Sequence, residues 1–550
     1  MQNIHKNILG LSLLFISALG LLGIGITEHT GVTGKDEYYL GLRIPMCMYE
    51  QQAWLIPCLD AKPRLRKPPM LYWLTWANFK IFGPSLGAAR WIAVLLAAIL
   101  VLAVATMALE LGAELKQALT AGLILLSCLG FAVTGRMLEL DVPVATWSTL
   151  AFLSLLYWYK HNQAWGLILA ALSIVAGFLT KGPVVFVVCG AGGLALLIND
   201  PLALGFLKQR KLQILGTLIL TISLILPWFT YIYVQYPEVS AILASELQAR
   251  RFFTISLVPL SGILLLTMPW GFVLVQRIMT LHKFPTSHTV TYLKMQALWI
   301  GLTLLPFFWF RTFERYLIGS LVPAALLLAA PIQNISISWR WTARSGFILA
   351  FIAALLFQIA ALLISGFSFQ LALSLLISLG FFWYWWQANN VFYMALTAAL
   401  LWAAILGLVY PRIGVNAIPQ ALINQVRGHE IVLYAGPQPA LLPAVLGRSL
   451  VHTDSSLQLP ERLLKPCSNF LMLTPDSQSN SAVTGLQDLG FGIQKRGSFG
   501  ILSSRVTWAN MLRPGTTILD LWDAVLHGNL AIVKPQVILY QVKNLQCPTP

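Results

Sequence analysis

The 550-residue sequence predicts a polytopic α-helical membrane protein that carries a small C-terminal α/β domain. Hydrophobic residues make up 57% of the chain and charged residues only 10%, whereas about a quarter of a soluble domain is charged. Uncharged apolar stretches recur as far as about position 410, and polar, turn-rich sequence follows. These observations exclude a soluble protein.

The first predicted span, residues 8–27, contains no charged residue and is long enough to cross a hydrocarbon core of about 30 Å. No small-residue cleavage site follows it cleanly, and many further spans come after it. We therefore interpret this segment as a retained helix rather than a cleaved signal peptide.

Apolar windows of helical length predict about 13 membrane spans. With a cytoplasmic N-terminus, the short basic loops at 207–211, 277–294 and 339–344 become cytoplasmic, as the positive-inside rule requires. The odd number of spans then places the C-terminal tail outside the cytoplasm. The predicted spans are 8–27, 89–109, 117–134, 142–159, 164–180, 183–198, 212–234, 257–276, 294–310, 316–332, 345–365, 367–386 and 391–410.

The predicted spans divide the chain into a membrane domain, residues 1–410, and an extracytoplasmic α/β domain, residues 411–550. Short β-like runs at 430–436, 469–475 and 537–544 alternate with turns in the second domain. It contains no nucleotide loop, metal-ligand cluster or nucleophile motif, so we expect it to support the protein or contact a partner.

Six cysteines fall into two groups. Two lie inside apolar spans and are expected to be small core residues, whereas the other four lie in the first loop and the tail. Each of these pairs forms a disulfide only if it faces an oxidising compartment, and the sequence leaves both pairings open. The three pairs are Cys128 and Cys189, Cys47 and Cys58, and Cys467 and Cys547.

Basic residues exceed acidic ones by 36 to 20, which indicates contact with anionic lipid or phosphate. No compact basic module is present, so nucleic acid is not an expected partner. Many basic residues lie in predicted outer loops, which is the opposite of what the positive-inside rule predicts. Lipid-headgroup anchoring would explain one or two of them, and phosphate binding explains the rest better. They are Lys35, Arg43, Lys62, Arg64, Arg66, Lys67, Lys181, Arg250, Arg251, Arg311 and Arg315.

Four outer-face segments carry candidate site residues. Asp36 and Glu37 follow the first span, in the long loop 28–88 that we expect to carry the active site, and Glu139 and Asp141 lie at the mouth of another span, where ionisable groups are costly and usually functional. Pro68 and Pro69 present Lys67 at a rigid corner, and Lys181 lies in a Lys-Gly-Pro turn. The aromatic residues after the first corner fit a membrane belt or a sugar platform equally well: Tyr72, Trp73 and Trp76.

Carboxylates at one end of a cleft and cations at the other suit glycosyl transfer from a lipid phosphate. Cations stabilise charge on the departing phosphate, and a carboxylate accepts the proton of a hydroxyl acceptor. We expect Asp36 to be the main catalytic residue, supported by Glu37 and Asp141. The predicted donor-binding set is Lys67, Lys181, Arg250, Arg251, Tyr72 and Tyr316, and no metal ligand is predicted.

At these residues the chain resembles the bacterial GT-C glycosyltransferases of the dolichyl-phosphate-mannose–protein mannosyltransferase and undecaprenyl-phosphate-aminoarabinose lipid A transferase type. The resemblance runs in order from about 8 to 332. It is carried by the Asp-Glu pair, the Trp-x-x-Pro and Lys-Pro-Pro-x-x-Tyr-Trp stretches, Leu-Asp-x-Pro at 140–143 and Phe-Leu-Thr-Lys-Gly-Pro at 178–183. Later pieces are 226–228, 268–270 and Glu246 with Arg250 and Phe252.

This resemblance implies 13 spans, a periplasmic C-terminal domain, a bacterial inner-membrane location and an undecaprenyl-phosphate sugar donor. Three departures put the donor sugar and the acceptor in doubt. Tyr39 and Leu40 replace an Arg-Tyr pair, Arg66 replaces a Glu, and 311–316 replaces Ser-Lys-x-Pro-x-Tyr. A divalent metal is conceivable but not indicated, because a metal site that relies on the missing Glu would be incomplete.

The favoured function is therefore transfer of a sugar from a polyprenyl phosphate to lipid A or another envelope glycolipid. A protein hydroxyl or a glycan is the alternative acceptor for the same donor. A polytopic transporter is the rival from another class, and it predicts inverted repeats with ionisable residues near the membrane midplane. The charged residues of this chain cluster at one face instead, which favours the enzyme.

Overall fold

Helices dominate the computed structural model of the protein, which describes residues 2–34, 36–60, 62–249, 254–281, 288–330, 337–387, 389–434, 442–453, 459–502 and 512–545. The helices up to residue 413 are α1 Gln2–Gly23, α2 Ile44–Glu50, α3 Met70–Phe82, α4 Leu86–Glu110, α5 Leu115–Ser127, α6 Leu129–Thr134, α7 Asp141–His161, α8 Trp165–Lys181, α9 Val184–Asn199, α10 Pro201–Gln209, α11 Lys211–Gln235, α12 Val239–Ala249, α13 Val258–Leu266, α14 Gly271–Thr280, α15 His288–Leu304, α16 Leu321–Ala329, α17 Ile337–Ser365, α18 Phe369–Gln387, α19 Val391–Ala404 and α20 Tyr410–Ile413.

Tighter or wider helical turns join several of these elements. Residues Glu37–Arg43 and Ile405–Val409 form π-helical turns, and Glu314–Ser320 forms a 3₁₀ segment before α16. Within the described ranges, six helices are long and apolar enough to cross a membrane, or up to eight if each of two bent pairs is one span. The chain is thus a multi-span membrane protein, and the predicted count of 13 is not confirmed.

Small residues let the membrane helices approach closely. In α4, Ala93, Ala97 and Ala98 are fully buried, and a Cβ on Gly122 of α5 would lie 2.6 Å from the Leu14 side chain of α1. Close backbone approach is the usual basis of helix packing inside membranes. Cys128 and Cys189, the two cysteines inside apolar spans, are buried thiols of this core, as predicted.

The C-terminal part forms a mixed five-stranded sheet, which together with the helical part confirms the predicted fold class. After the short hairpin of β1 Cys58–Leu59 and β2 Lys62–Pro63 in the first loop, the strands are β3 Ile431–Tyr434, β4 Val451–Thr453, β5 Asn469–Pro475, β6 Phe491–Gly500 and β7 Gln536–Asn544. Their order is β4-β3-β5-β7-β6, with the first three parallel and β7 antiparallel to both neighbours. The accompanying helices are α21 Gln420–Val426, α22 Leu442–Leu446, α23 Glu461–Leu464, α24 Ser479–Gln487 and α25 Ile518–Leu526.

The C-terminal part contacts the loop that follows α1. The Asn416 side chain donates to the carbonyl of Gly31 (2.7 Å), and the backbone N–H of Ser449 donates to the carboxylate of Glu50 (2.7 Å). Ala444 packs in the same apolar cluster as Tyr38. The sheet therefore lies at the end of the helices from which the first loop emerges.

Candidate functional site

Arg315 lies at the centre of a cluster of carboxylates from two distant loops. Its Nη2 atom is 2.5 Å from Asp36 Oδ2, its Nε atom is 3.6 Å from Asp141 Oδ2, and its Nη1 atom is 3.9 Å from Glu139 Oε1. Although burial lowers the pKa of Arg315, the three carboxylates outweigh this effect and raise it. The guanidinium is thus a fixed positive charge.

Lys181 joins the same cluster through Asp141. Its ammonium group forms an ion pair with the Asp141 carboxylate and lies 4.3 Å from the centre of the Tyr316 ring, a cation–π contact. Helix α8 ends at Lys181 because Gly182 follows with a φ of +67° and Pro183 comes next. The predicted Lys-Gly-Pro turn therefore places Lys181 in contact with Asp141, one of the predicted catalytic carboxylates.

Glu139 is the most deeply buried acid of the cluster. It lies between α6 and α7 and is 4% exposed, and a Cβ on Gly34 would lie 2.7 Å from its Oε1. Its pKa is raised to about 8, mainly because burial disfavours the charged form; Arg315 opposes this shift, and the nearby Asp141 and Asp36 add to it. The side chain therefore holds a proton at neutral pH.

Glu37 points away from this cluster into the protein. Its side chain is fully buried, and both carboxylate oxygens accept from Arg90 at 2.8 Å. Thr33 Oγ1 also donates to it at 2.6 Å and the N–H of Leu138 at 3.1 Å. These bonds tie the first loop to α4 and to the segment that carries Glu139.

Lys67 and Arg66 share one acidic partner. Lys67 Nζ is 3.2 Å from Glu246 Oε2, and Arg66 Nη1 is 3.7 Å from Glu246 Oε1. The predicted corner is present, because α3 begins at Met70 directly after the two prolines. The two remaining predicted cations, Arg250 and Arg251, lie outside the described residues.

The first loop is held by further covalent and ionic contacts. Cys47 and Cys58 form a disulfide, and Arg43 Nη2 lies 2.5 Å from Asp60 Oδ1. In the tail Cys467 is disulfide-bonded, whereas Cys547 lies outside the described residues.

The predicted aromatic residues lie on α3. Tyr72 is fully buried, and among the described residues its hydroxyl has no hydrogen-bond partner. The same holds for the indole N–H groups of the half-buried Trp73 and Trp76.

An apolar cavity of about 610 Å³ lies between α7, α8, α9, α10 and α11. Its wall includes Phe178, three residues before Lys181, and extends to Trp158 on α7. Such a volume fits a long hydrocarbon chain. Within the described part of the chain, no group of three or more His, Cys, Asp or Glu side chains could hold a metal ion.

The structure thus gathers Asp36, Asp141, Lys181 and Tyr316, while Glu37 and Lys67 have partners of their own. Arg315 is one of the basic residues predicted on the outer face, but it is not among the predicted site residues. The sequence signal that could have identified it is its position directly before Tyr316, a predicted donor-binding residue. Glu139 was noted as an ionisable residue at a span mouth, yet its protonation depends on burial that one sequence does not reveal.

Known proteins resemble this chain over part of its sequence. Residues 66–231 match the family described as dolichyl-phosphate-mannose-protein mannosyltransferase. An uncharacterized protein of Aquifex aeolicus is 30% identical over 195 residues, 35% of this chain and 38% of that protein. The undecaprenyl phosphate-alpha-4-amino-4-deoxy-L-arabinose arabinosyl transferase 1 of Sodalis glossinidius is 29% identical over 183 residues, 32% of this chain and 31% of the relative. The matches thus span well under half of these relatives.

The likeness in fold covers nearly the whole chain. The crystal structure of ArnT from Cupriavidus metallidurans bound to undecaprenyl phosphate superposes with a TM-score of 0.69 over 98% of this chain and 99% of that one, at 14% sequence identity. At that identity the match shows the fold alone. Together with the family match, it confirms the predicted resemblance to the GT-C glycosyltransferases of this type.

Proposed function

We propose that this protein is a membrane glycosyltransferase that moves a sugar from a polyprenyl phosphate to an acceptor outside the cytoplasm. The observation that carries the proposal is the convergence of Asp36, Asp141 and Lys181 around Arg315. These four residues come from four separate segments of the chain. They bring carboxylates and cations into contact at one end of the helices. The resemblance to lipid-phosphate-dependent transferases supports the same reading.

The charges of the cluster suit a reaction in which a phosphate departs. Two cations, Arg315 and Lys181, form ion pairs with two carboxylates, Asp36 and Asp141. An incoming phosphate competes with these carboxylates for the cations, since charge-assisted bonds to phosphate are strong. Its arrival would release Asp36 from Arg315 and leave that carboxylate available to the acceptor.

The bond changes then follow for a hydroxyl acceptor. The acceptor oxygen attacks the anomeric carbon, the bond from that carbon to the phosphate oxygen breaks, and polyprenyl phosphate leaves. Asp36 takes the acceptor proton, while Lys181, Lys67 and Arg315 stabilise the charge on the phosphate. A phosphate acceptor is already an anion, so Asp36 would then orient the acceptor or an amine on the sugar.

The apolar cavity supports a lipid-linked donor. It extends along α8 toward the end at which Lys181 lies, so a hydrocarbon chain in it could place its phosphate near the cluster. We assign residues 1–410 to this transferase domain and residues 411–550 to a supporting domain. The name of one relative supports an undecaprenyl-phosphate aminoarabinose donor. We further propose lipid A as the acceptor and the bacterial inner membrane as the location.

Mass spectrometry of lipid A and envelope glycans, with and without the gene, tests the function. We expect a sugar-modified envelope lipid that disappears on deletion and returns with the parent gene but not with the Asp36→Asn variant. Loss of a protein or glycan modification would instead identify the alternative acceptor. Unchanged envelopes, together with no transfer by purified protein from undecaprenyl-phosphate sugars, would reject the proposal.

A further inference from the structure

Helix α25, Ile518–Leu526, has an exposed apolar face in the described part of the chain. Four large side chains share this face and are 59% to 81% exposed, whereas Ala524 on the opposite side is fully buried. A helix turns by about 100° per residue, which places Asp520 and Asp523 outside the apolar face. Exposed apolar patches mark contacts with a protein or a membrane. The four side chains are those of Ile518, Leu519, Trp522 and Leu526.

The start of α25 is fixed by a capping box. The N–H of Asp520 donates to Oγ1 of Thr517 at 3.2 Å, and the Asp520 carboxylate accepts from the N–H of Thr517 at 2.7 Å. Reciprocal bonds of this kind stabilise the start of a helix. The helix is therefore a defined element, and its apolar side chains keep a fixed relation to its carboxylates.

The far end of α25 lies against the end of a membrane span. A Cβ on Gly528, two residues after α25, would lie 2.7 Å from the carbonyl oxygen of Ile364 in α17. Leu530 packs against the apolar core of the membrane helices. Ile364 is the last residue but one of the candidate span Trp339–Ser365. Helix α25 thus lies at the depth where α17 reaches the membrane surface.

Other residues at this depth are typical of a membrane interface. The turn between α17 and α18 joins two candidate spans, and Phe367 and Phe369 are exposed there. The guanidinium of Arg412, near the end of a third candidate span, donates to Ser365 Oγ at 3.3 Å. Aromatic and basic side chains gather where spans meet the lipid headgroups. Lipid surrounds the ends of these spans, so it reaches α25 without a partner protein.

We propose that α25 lies in the lipid headgroup layer, with its apolar face turned to the acyl chains and with Asp520 and Asp523 turned to water. The partner is a phospholipid surface, which in the predicted topology belongs to the extracytoplasmic leaflet. Amphipathic helices with tryptophan on the apolar side bind membranes in this way. The contact holds the C-terminal domain against the membrane. It goes beyond the proposed function, because it does not depend on sugar transfer.

Quenching of a probe at two neighbouring positions tests this contact. Trp522→Cys and Asp523→Cys are each labelled with a thiol-reactive bimane in the full-length protein, which is reconstituted into vesicles of phosphatidylethanolamine and phosphatidylglycerol. Both free cysteines of the described part are buried, and the labelled parent measures their background. We expect spin-labelled phospholipid to quench the probe at position 522 several-fold more than at position 523, and aqueous iodide to show the reverse order.

Photo-crosslinking of the unmodified protein tests the same contact without a substitution. Phospholipid that carries a diazirine in its acyl chain is activated in the vesicles, and the modified peptides are identified by mass spectrometry. We expect adducts on residues 518–526 and none on α24 Ser479–Gln487, a helix of the same length in the same domain.

Three results would overturn the inference. Equal iodide quenching at both positions would place α25 in water. A probe at position 522 that neither quencher reaches would show that protein covers the apolar face, and a cross-link between two Trp522→Cys chains would identify that protein as a second copy. Adducts on α17 without adducts on residues 518–526 would also contradict membrane contact. None of these results bears on the proposed sugar transfer.

Discussion

Arg315 Nη2 lies 2.5 Å from Asp36 Oδ2, although the two residues are separated by most of the membrane-embedded chain. The side chains are 27% and 29% exposed, so solvent and substrate can reach this pair. While its oxygen is held by the guanidinium, the Asp36 carboxylate is not free to contact an acceptor hydroxyl. The pair therefore has to open before Asp36 can act, and a phosphate that takes over Arg315 provides the means.

Replacing Asp36 by Asn should lower the turnover of a hydroxyl acceptor by about 10²-fold or more, because the general base is lost. With a phosphate acceptor the variant should keep more activity, since no proton has to be removed. Turnover of purified protein with both acceptor classes checks this. Asp523→Asn makes the same change at an exposed carboxylate of α25 and should be silent. Near-parental rates of the Asp36 variant on every substrate would remove Asp36 from the mechanism.

Replacing Lys181 by Ala should weaken donor use by about 1.5–3 kcal/mol, the range for hydrogen bonds to charged groups. The structure adds a second possible cause, because the variant also leaves Asp141 without its ammonium partner. The double variant Lys181→Ala with Asp141→Asn separates the two. Recovery of kcat/KM in the double variant would assign the loss to Asp141, whereas a kcat/KM below that of Asp141→Asn alone supports phosphate binding by Lys181. Arginine at position 181 should rescue only in part. Lys208→Ala, at an exposed position in the last turn of α10, is the control.

The protein should lose stability as the pH rises from about 5 to 8. Burial raises the pKa of Glu139 from 4.5 to about 8, so the folded chain holds a proton in this interval that the unfolded chain has released. Stability then falls with rising pH by up to about 1.4 kcal/mol per unit and levels off above pH 8. Melting of the detergent-purified protein across this range measures the slope. Glu139→Gln should flatten it, Glu114→Gln at an exposed position should not, and identical slopes for all three proteins would contradict the protonated state.

Breaking the Glu37–Arg90 pair should destabilise the fold by about 3–5 kcal/mol, because a buried charge would be left unpaired. Unfolding of Arg90→Met measures this loss, and the double change to Met at both positions should recover part of it. Arg462→Met, which breaks the exposed pair with Glu430, should cost no more than about 1 kcal/mol. If Arg90→Met were as stable as the parent, Glu37 would not be the anchor of the first loop.

Much of the membrane part was predictable, because long apolar windows are set by local composition. A helix overlaps the predicted window at 183–198, and the strands at 431–434 and 469–475 fall on predicted β-like runs. The number of membrane spans was harder to predict from the sequence. Helices α13 and α14 are bent by 115° at a short break, and several other helices are short. Strand β6 was missed because its outward positions are polar or glycine.

The sequence predicted which types of residue form the site. It did not predict which of these residues contact one another. Asp36 and Glu37 are neighbours in sequence, but the π-helical turn that begins there sends one toward Arg315 and the other to Arg90. Which cation meets which carboxylate depends on how four loops close over one another. That information is not contained in spacing along the chain.

The Asp36–Arg315 contact also imposes an order on biosynthesis. At about 5–20 residues per second, the ribosome needs on the order of 15–55 seconds to travel from position 36 to position 315. During that time the nascent chain already carries Asp36, Glu139 and Asp141, and Lys181 is the only cation of the finished cluster that has been made. A message truncated before codon 315 would thus yield a protein in which Lys181 can still pair with Asp141, while Asp36 lacks its arginine partner.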